Sequence, residues 1–277
     1  MDFKITSISC GDWHTLLLDE SGIVYATGYN KTGCLGLGDD LERSEFQPLI
    51  FDSPITKIKK IDAGRNISLF LTEEDILLSS GSSWLNGNSD KNQLKPMKIK
   101  DLSMKVNKFS AGYTRCAAID ENGMLYIWKK LQKPTKIEIP FEPKIAQVSC
   151  SKGEKKSHIG CVDIEGNLYT WGSGYKGKLG HGDLEDRLIP TKISFFDENK
   201  IRVKKFVAGG IHSACLTEEG KIYTWGCGSD GRLGHKESEN HRYLFKEMIP
   251  RLVEFFEERI ISDFDSSYYH MAAVIVK

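Results

Sequence analysis

One segment of this chain is written several times over. Gly166-Asn167-Leu168-Tyr169-Thr170-Trp171-Gly172 returns as Gly220-Lys221-Ile222-Tyr223-Thr224-Trp225-Gly226 and as Gly22-Ile23-Val24-Tyr25-Ala26-Thr27-Gly28. A fourth copy, Gly123-Met124-Leu125-Tyr126-Ile127-Trp128, lacks the last glycine, and a weaker fifth runs from Asp75 to Gly81. The copies start 53, 48, 43 and 54 residues apart. A period of that size constrains the fold more than any other feature, because each repeat must be one supersecondary unit that buries its apolar face on its neighbours. The interval falls in the range of β-propeller blades.

Each copy alternates apolar with small or polar residues, the period of a strand. Three copies run into a glycine-rich loop, Gly28–Gly36, Gly172–Gly180 and Gly226–Gly234, each ending in leucine-glycine. Glycine supplies the positive φ of tight turns there, and the lone leucine is placed to plug inward. A proline follows in every unit (Pro48, Pro96, Pro134, Pro190, Pro250), and a short apolar strand is expected to start at it. Before each strand copy lies a third element, two apolar runs joined at a turn that usually carries glycine. It reads Ile8-Ser9-Cys10-Gly11-Asp12-Trp13-His14-Thr15-Leu16 in the first unit and Val207-Ala208-Gly209-Gly210-Ile211-His212-Ser213-Ala214 in the fifth. Six such hairpins are legible but only five Tyr/Trp strands.

The ordered set resembles the regulator-of-chromosome-condensation repeat family, whose founding member is the nucleotide exchange factor for the GTPase Ran. The resemblance carried by the glycine-x-x-histidine turn, the G-x-V-Y-x-W-G strand and the glycine-leucine-glycine loop covers essentially the whole chain. It implies an all-β chain, a single β-propeller domain over 1–277 with four-stranded antiparallel blades, about six in number: five full repeats plus a half. The units are expected at approximately 1–50, 58–100, 106–140, 145–194 and 204–255, with a partial one at 260–277. Units two and three depart from the pattern. In place of the glycine-leucine-glycine loop, unit two has Ser82–Asn92 and unit three only Lys129–Lys133. The turn histidine is replaced by Ile67 in one copy and Arg115 in another.

Composition narrows the function classes. Lys+Arg number 38 and Asp+Glu 38, so the formal net charge is zero and a main partnership with the nucleic-acid backbone, which needs a cationic excess, is not expected. Hydrophobic residues at 40% and charged residues at 27% are an ordinary globular balance. The seven cysteines form no C-x-x-C pair and sit mostly in apolar runs, which reads as buried small hydrophobes in a reducing compartment, with no metal site. No signal peptide, bilayer-spanning run or C-terminal prenylation box is read between Met1 and Lys277, so a cytoplasmic monomer is expected.

No G-x-S-x-G elbow, Walker loop or H-E-x-x-H stands out, so no covalent catalysis and no cofactor are expected. The G-x-G-x-x-G stretches at Gly172 and Gly226 recur with the repeat and read as turns rather than nucleotide loops. The tryptophans at 128, 171 and 225 recur at strand spacing, which favours packing over light sensing. Two readings of the turn histidines stay open: a structural tie from imidazole to a neighbouring backbone carbonyl, or contact with a partner. The resemblance implies that such turns lie near one mouth of a ring and touch a GTPase, which makes Asp12, Trp13, His14, His158, His212, Asp265 and His270 contact candidates. A wedge loop is expected at Ser82–Asn92, with Trp84, Leu85, Asn86 and Asp90 its candidate residues, and a basic protrusion at Ser151–Lys156. Glu42-Arg43 and Glu185-Asp186-Arg187 read as solvated rim charges. The implied function is guanine-nucleotide exchange on a small GTPase, Ran first and Rab second. The divergent, Lys/Ile/Asn-rich repeats also resemble copies used by intracellular bacteria as host-directed effectors. The alternative is a non-catalytic interaction propeller, a scaffold or inhibitor.

Overall fold

The structure is a computed structural model that describes residues 4–51, 57–88, 90–153, 156–236 and 245–276. His241, Ser89 and the Glu154-Lys155 pair of the expected protrusion lie outside the described residues. The described chain is all-β apart from a five-residue helix and isolated 3-10 turns. By contacts it divides into two compact units, Met1–Ile137 and Glu138–Lys277.

The first unit holds three four-stranded antiparallel sheets, each a simple meander in chain order. The first is β1 (Ile5–Cys10), β2 (His14–Asp19), β3 (Val24–Gly28) and β4 (Arg43–Pro48). The second is β5 (Ile58–Ala63), β6 (Ile67–Thr72), β7 (Leu77–Gly81) and β8 (Gln93–Lys98). The third is β9 (Val106–Ala111), β10 (Arg115–Asp120), β11 (Leu125–Lys129) and the two-residue β12 (Thr135–Lys136). The second unit repeats the plan with β13 (Ile145–Cys150), β14 (His158–Asp163), β15 (Leu168–Gly172) and β16 (Arg187–Lys192). Helix α1 (Ser194–Glu198) follows, then β17 (Val203–Ala208), β18 (His212–Thr217), β19 (Ile222–Cys227) and β20 (Lys246–Leu252). A two-stranded sheet, β21 (Ile261–Ser266) and β22 (Met271–Ile275), completes it. Five full sheets and a half sheet are the complement of a β-propeller of five blades and a half.

In each four-stranded sheet the second strand is as buried as any. All six residues of β6, β14 and β18 are buried, so both faces are covered and the apolar pattern is continuous rather than alternating. Cores lie between successive sheets of one unit. Leu16, Val24 and Leu35 from the first sheet meet Ile58, Ile61 and Phe70 of the second. In the second unit Val162 and Leu168 meet Phe206, Cys215 and Trp225. Six of the seven cysteines are buried, and only Cys10 is exposed.

Pro134 directly precedes β12 as expected, but the other four prolines sit differently. Fourth strands start upstream of them: Pro96, Pro190 and Pro250 lie inside β8, β16 and β20, and Pro48 ends β4. Each of these strands is the outer edge of its sheet, where a missing N–H costs no ladder bond, and each pairing to its neighbour carries a register shift.

The arginines read as solvated rim charges are also placed. Arg43 bonds Asp39 at 2.6 Å and Arg187 bonds Asp183 at 2.5 Å, closing the segment between loop and fourth strand. The Arg43 guanidinium holds the Asp39 carboxyl below its usual range.

Candidate functional site: the hairpin turns and the loops that lock them

The turn between the first two strands of each sheet is built from backbone outward. In the first unit, Gly11, Gly64 and Gly112 stack in series. A Cβ on Gly11 would lie 2.3 Å from the Gly64 carbonyl oxygen and 2.5 Å from His14 Cε1, and a Cβ on Gly64 would lie 2.5 Å from the Gly112 carbonyl oxygen. Glycine is required there by close approach, because anything larger collides with the next turn and with the imidazole.

The imidazole then ties one sheet to the next. His14 Nε2 lies 2.9 Å from Ser68 Oγ, His158 Nε2 2.8 Å from Ser213 Oγ, and His212 Nε2 2.8 Å from Ser266 Oγ. Ser68 Oγ donates to the Cys34 carbonyl at 2.6 Å and Ser213 Oγ to the Lys178 carbonyl at 2.7 Å. The serine proton is therefore committed, so Nε2 carries the histidine proton and donates. The partner is a hydroxyl of the next sheet, not the backbone carbonyl expected from the sequence. All three imidazoles are buried, at 3%, 0% and 0% exposure. His14, His158 and His212 are thereby withdrawn from the contact candidates: they hold the turn and cannot meet a partner's surface. Burial pushes the His212 imidazole down to about 3, with the charges of Arg232 and His270 adding to the effect.

What the turns do expose is their tips. Trp13 is 72% exposed and Asp12 beside it is exposed. One turn further in that unit, the Arg65 guanidinium stacks 4.1 Å over the Tyr113 ring. In the second unit, Asp265 and His270 are exposed, and Tyr269 is 63% exposed with its ring centroid 4.4 Å from that of Tyr268. Arg65, Tyr113, Tyr268 and Tyr269 did not emerge from the sequence as candidates. The available signal was position: each follows the turn glycine or serine as Asp12 and Trp13 do.

The loops are the second half of the lock. Leu35, Leu179 and Leu233 are buried as expected. The carbonyl before the leucine bonds the next sheet in two of these loops: the Cys34 carbonyl accepts from Ser68 Oγ, and the Lys178 carbonyl accepts from Trp225 Nε1 at 2.9 Å. Tryptophans 128, 171 and 225 are all buried, a packing role. The stretches at Gly172 and Gly226 form single 3-10 turns, Tyr175–Gly177 and Ser229–Gly231, with no helix to receive a phosphate.

The expected wedge loop is corrected by the same geometry. Leu85 and Asn86 are buried at 4% and 0%. The Leu85 carbonyl accepts from Trp128 Nε1 at 2.7 Å, as the Lys178 carbonyl does from Trp225. The Asn86 carbonyl accepts from Ser79 Oγ at 2.8 Å, as the Leu179 carbonyl does from Thr170 Oγ1 at 2.7 Å. Leu85-Asn86-Gly87 is thus a conformational copy of the glycine-leucine-glycine loop, with Asn86 in the leucine's place. Of the four candidates, Trp84, at 52% exposure and under Lys130 Nζ at 4.1 Å, and Asp90 remain exposed, with Lys91 and Asn92 exposed beside Asp90.

Comparison with known proteins agrees with this architecture. The regulator of chromosome condensation (RCC1) repeat matches residues 21–71, 165–216 and 219–274, and a second form of the same repeat matches 5–34 and 203–232. The ultraviolet-B receptor UVR8 of Arabidopsis thaliana is 32% identical over 255 residues, 83% of this chain and 55% of that protein. The X-linked retinitis pigmentosa GTPase regulator of Canis lupus familiaris is 34% identical over 253 residues, 83% of this chain and 24% of that protein. The chain therefore spans about half the length of the first relative and a quarter of the second. Among solved structures, human WBSCR16 superposes with a TM-score of 0.84 at 21% identity, covering 100% of this chain and 73% of that one. Prp20p of Saccharomyces cerevisiae gives 0.60 at 17%, covering 99% and 82%.

The cytoplasmic placement expected from the sequence is corrected: yeast RCC1 (Prp20), similar in fold to this chain, was solved bound to Kap60, a nuclear rather than a cytoplasmic context for that protein. With five four-stranded antiparallel sheets and a two-stranded one, three of their turns held by a buried imidazole, and more than half of its residues matched by the repeat, the chain belongs to the regulator of chromosome condensation (RCC1) repeat family.

Proposed function

We propose that the exposed hairpin tips receive a small GTPase and that the chain accelerates guanine-nucleotide exchange on it, with Ran the first candidate and a Rab the second. The observation that carries this reading is Trp13. A tryptophan 72% exposed on a turn fixed by Gly11 and His14 is a rigid apolar anchor with Asp12 beside it, the kind of residue that dominates protein interfaces. Two relatives support the partner class by what their descriptions state. The canine relative is a GTPase regulator, and the yeast structure is described with its binding to Gsp1p and histones.

No bond is made or broken on the exchange factor in this scheme. The chain binds the nucleotide-free GTPase better than the loaded form, and that difference in affinity drives release. The exposed acids Asp12, Asp90 and Asp265 are the groups assigned to take the P-loop lysine as the phosphates leave. The test is release of mant-GDP from Ran and from a Rab panel. Acceleration is expected on one of them, reduced at least about tenfold by Trp13→Ala, the loss of one central anchor. Unchanged release on every GTPase tried would remove exchange.

A second reading, a non-catalytic binding module, is favoured by one feature. Leu85 and Asn86 are held down into the next sheet, so Ser82–Asn92 offers Trp84 and Asp90 but no projecting wedge. The two part on whether nucleotide-free GTPase is preferred over the loaded form.

A further inference from the structure

The basic run read in the sequence at Ser151–Lys156 ends beside a second site, within the unit Glu138–Lys277. A cavity of about 530 Å³ opens there between Lys156, the loop residues Tyr175 and Lys176, and Lys246 of β20. Three ammonium groups therefore converge on it. Lys156 Nζ lies 3.9 Å from the centroid of the Tyr175 ring, and Lys176 Nζ 5.9 Å from it. Among the described residues Asp186 is the only carboxylate lining the cavity, and it already accepts from the Gly174 N–H at 2.8 Å. Like charges gathered this way repel unless a charge of opposite sign lies between them.

A fourth ammonium lies behind the wall. Lys178 is fully buried, and its Nζ donates to the Lys156 carbonyl. Among the described residues that is the ammonium's one hydrogen bond, and no carboxylate lies within ion-pair distance of it. Burial pushes this group down to about 8 against the pull of Asp186, with the Lys156 charge adding to the fall. A buried cation without a counter-charge is costly. The sister loop shows how that cost is met elsewhere in the chain. There Arg232 stands where Lys178 stands, and Asp230 pairs with it at 3.1 Å. The residue in the place of Asp230 is Lys176, with the same left-handed backbone, φ 64° against 62°. Ser229 and Gly210 stand in the places of Tyr175 and Lys156. The repeat thus does not require this cluster: at one loop the pairing acid is replaced by a base, and a ring and a further lysine are added.

We propose that this cavity binds a phosphate monoester, its oxygens between Lys156, Lys176 and Lys246 and its organic group against Tyr175 and Leu184. The charge count selects that class. Three lining ammoniums and one carboxylate leave two positive charges, which a carboxylate ligand would half neutralise and a phosphate monoester matches above its second pKa of about 6. The volume is that of a small-ligand pocket, about 300–1,000 Å³, so the group carrying the phosphate has room beside it. A phosphorylated side chain of a partner protein and a free phosphorylated metabolite present the same chemistry. None of these residues is among those proposed to meet a GTPase, so the two readings are tested apart.

Titration calorimetry of the full chain with phenyl phosphate and with phenyl sulfate, the same ring bearing one charge fewer, tests the charge count. The phosphate is expected to bind at least about tenfold tighter. Lys246→Gln, at an exposed position, is expected to weaken it at least about tenfold, the loss of one charge-assisted bond. Asp186→Asn, which keeps an acceptor for the Gly174 N–H, is expected to tighten it several-fold by removing the opposing charge. A phosphotyrosine pentapeptide and adenosine monophosphate distinguish the two sources, the tighter binder giving the class. No binding of phenyl phosphate, or of both the peptide and the nucleotide, up to about 1 mM, equal binding of the sulfate, or affinity indifferent to both substitutions would each overturn the proposal.

Discussion

The histidines of the hairpin turns show how one residue type serves fold and surface at once. His212 is neutral in the folded chain because burial lowers its pKa from 6.5 to about 3. Above 6.5 neither folded nor unfolded chain protonates it, and no difference arises. Between 6.5 and about 3 only the unfolded chain takes up the proton, so this group costs stability as pH falls, at about 1.4 kcal/mol per pH unit. Urea unfolding of wild type and His212→Gln at pH 7.5 and 4.5 is expected to show a smaller loss on acidification in the variant. An equal loss would place the acid sensitivity elsewhere. Gly11 offers a second test. A methyl group there meets the Gly64 carbonyl oxygen at 2.3 Å, and Gly11→Ala is expected to cost about 1–3 kcal/mol in chemical denaturation. His14→Ala, which empties a buried site and removes the donor to Ser68, is expected to cost about as much.

At the scale of strands and loops, much was legible in the sequence and the omissions have physical reasons. Period-two alternation located the third strands, and the paired apolar runs around a turn located all six hairpins, because both depend on a side-chain pattern. The fourth strands were misplaced because an edge strand exposes one side and needs only that its proline nitrogen face away from the ladder. The loop of unit two was misread because its shape is set by carbonyl positions, not by side chains: Ser79, Trp128 and Asn86 reproduce the lock with different residues. The Asn86 side chain donates to the Lys91 carbonyl at 2.8 Å and accepts from the Asn88 N–H at 2.8 Å. Asn86→Ala strands both partners and is expected to destabilise the chain by about 1–3 kcal/mol, while leaving any GTPase binding carried by Trp84 in place. Weakened binding at unchanged stability would restore Asn86 as a contact residue. The candidate contact residues were legible only as turn positions. Which of them face solvent depended on tertiary packing: it buried His14, His158 and His212 and left Trp13, Tyr269 and His270 outside.

For the molecule as a whole, the exposed turn tips are the surface on which the proposed protein recognition rests. The zero net charge agrees with a partner bound through apolar anchors and paired charges rather than a phosphate backbone. Exchange activity adds a demand that simple recognition does not, since the free energy of nucleotide release must come from a preference for the empty GTPase. Titration calorimetry of the chain against nucleotide-free and GDP-loaded Ran measures that preference most directly. The account expects the empty form to bind at least about tenfold tighter, a difference of about 1.4 kcal/mol, with the gap closing in Trp13→Ala. Equal affinity for the two forms would contradict it and leave the chain a binding module.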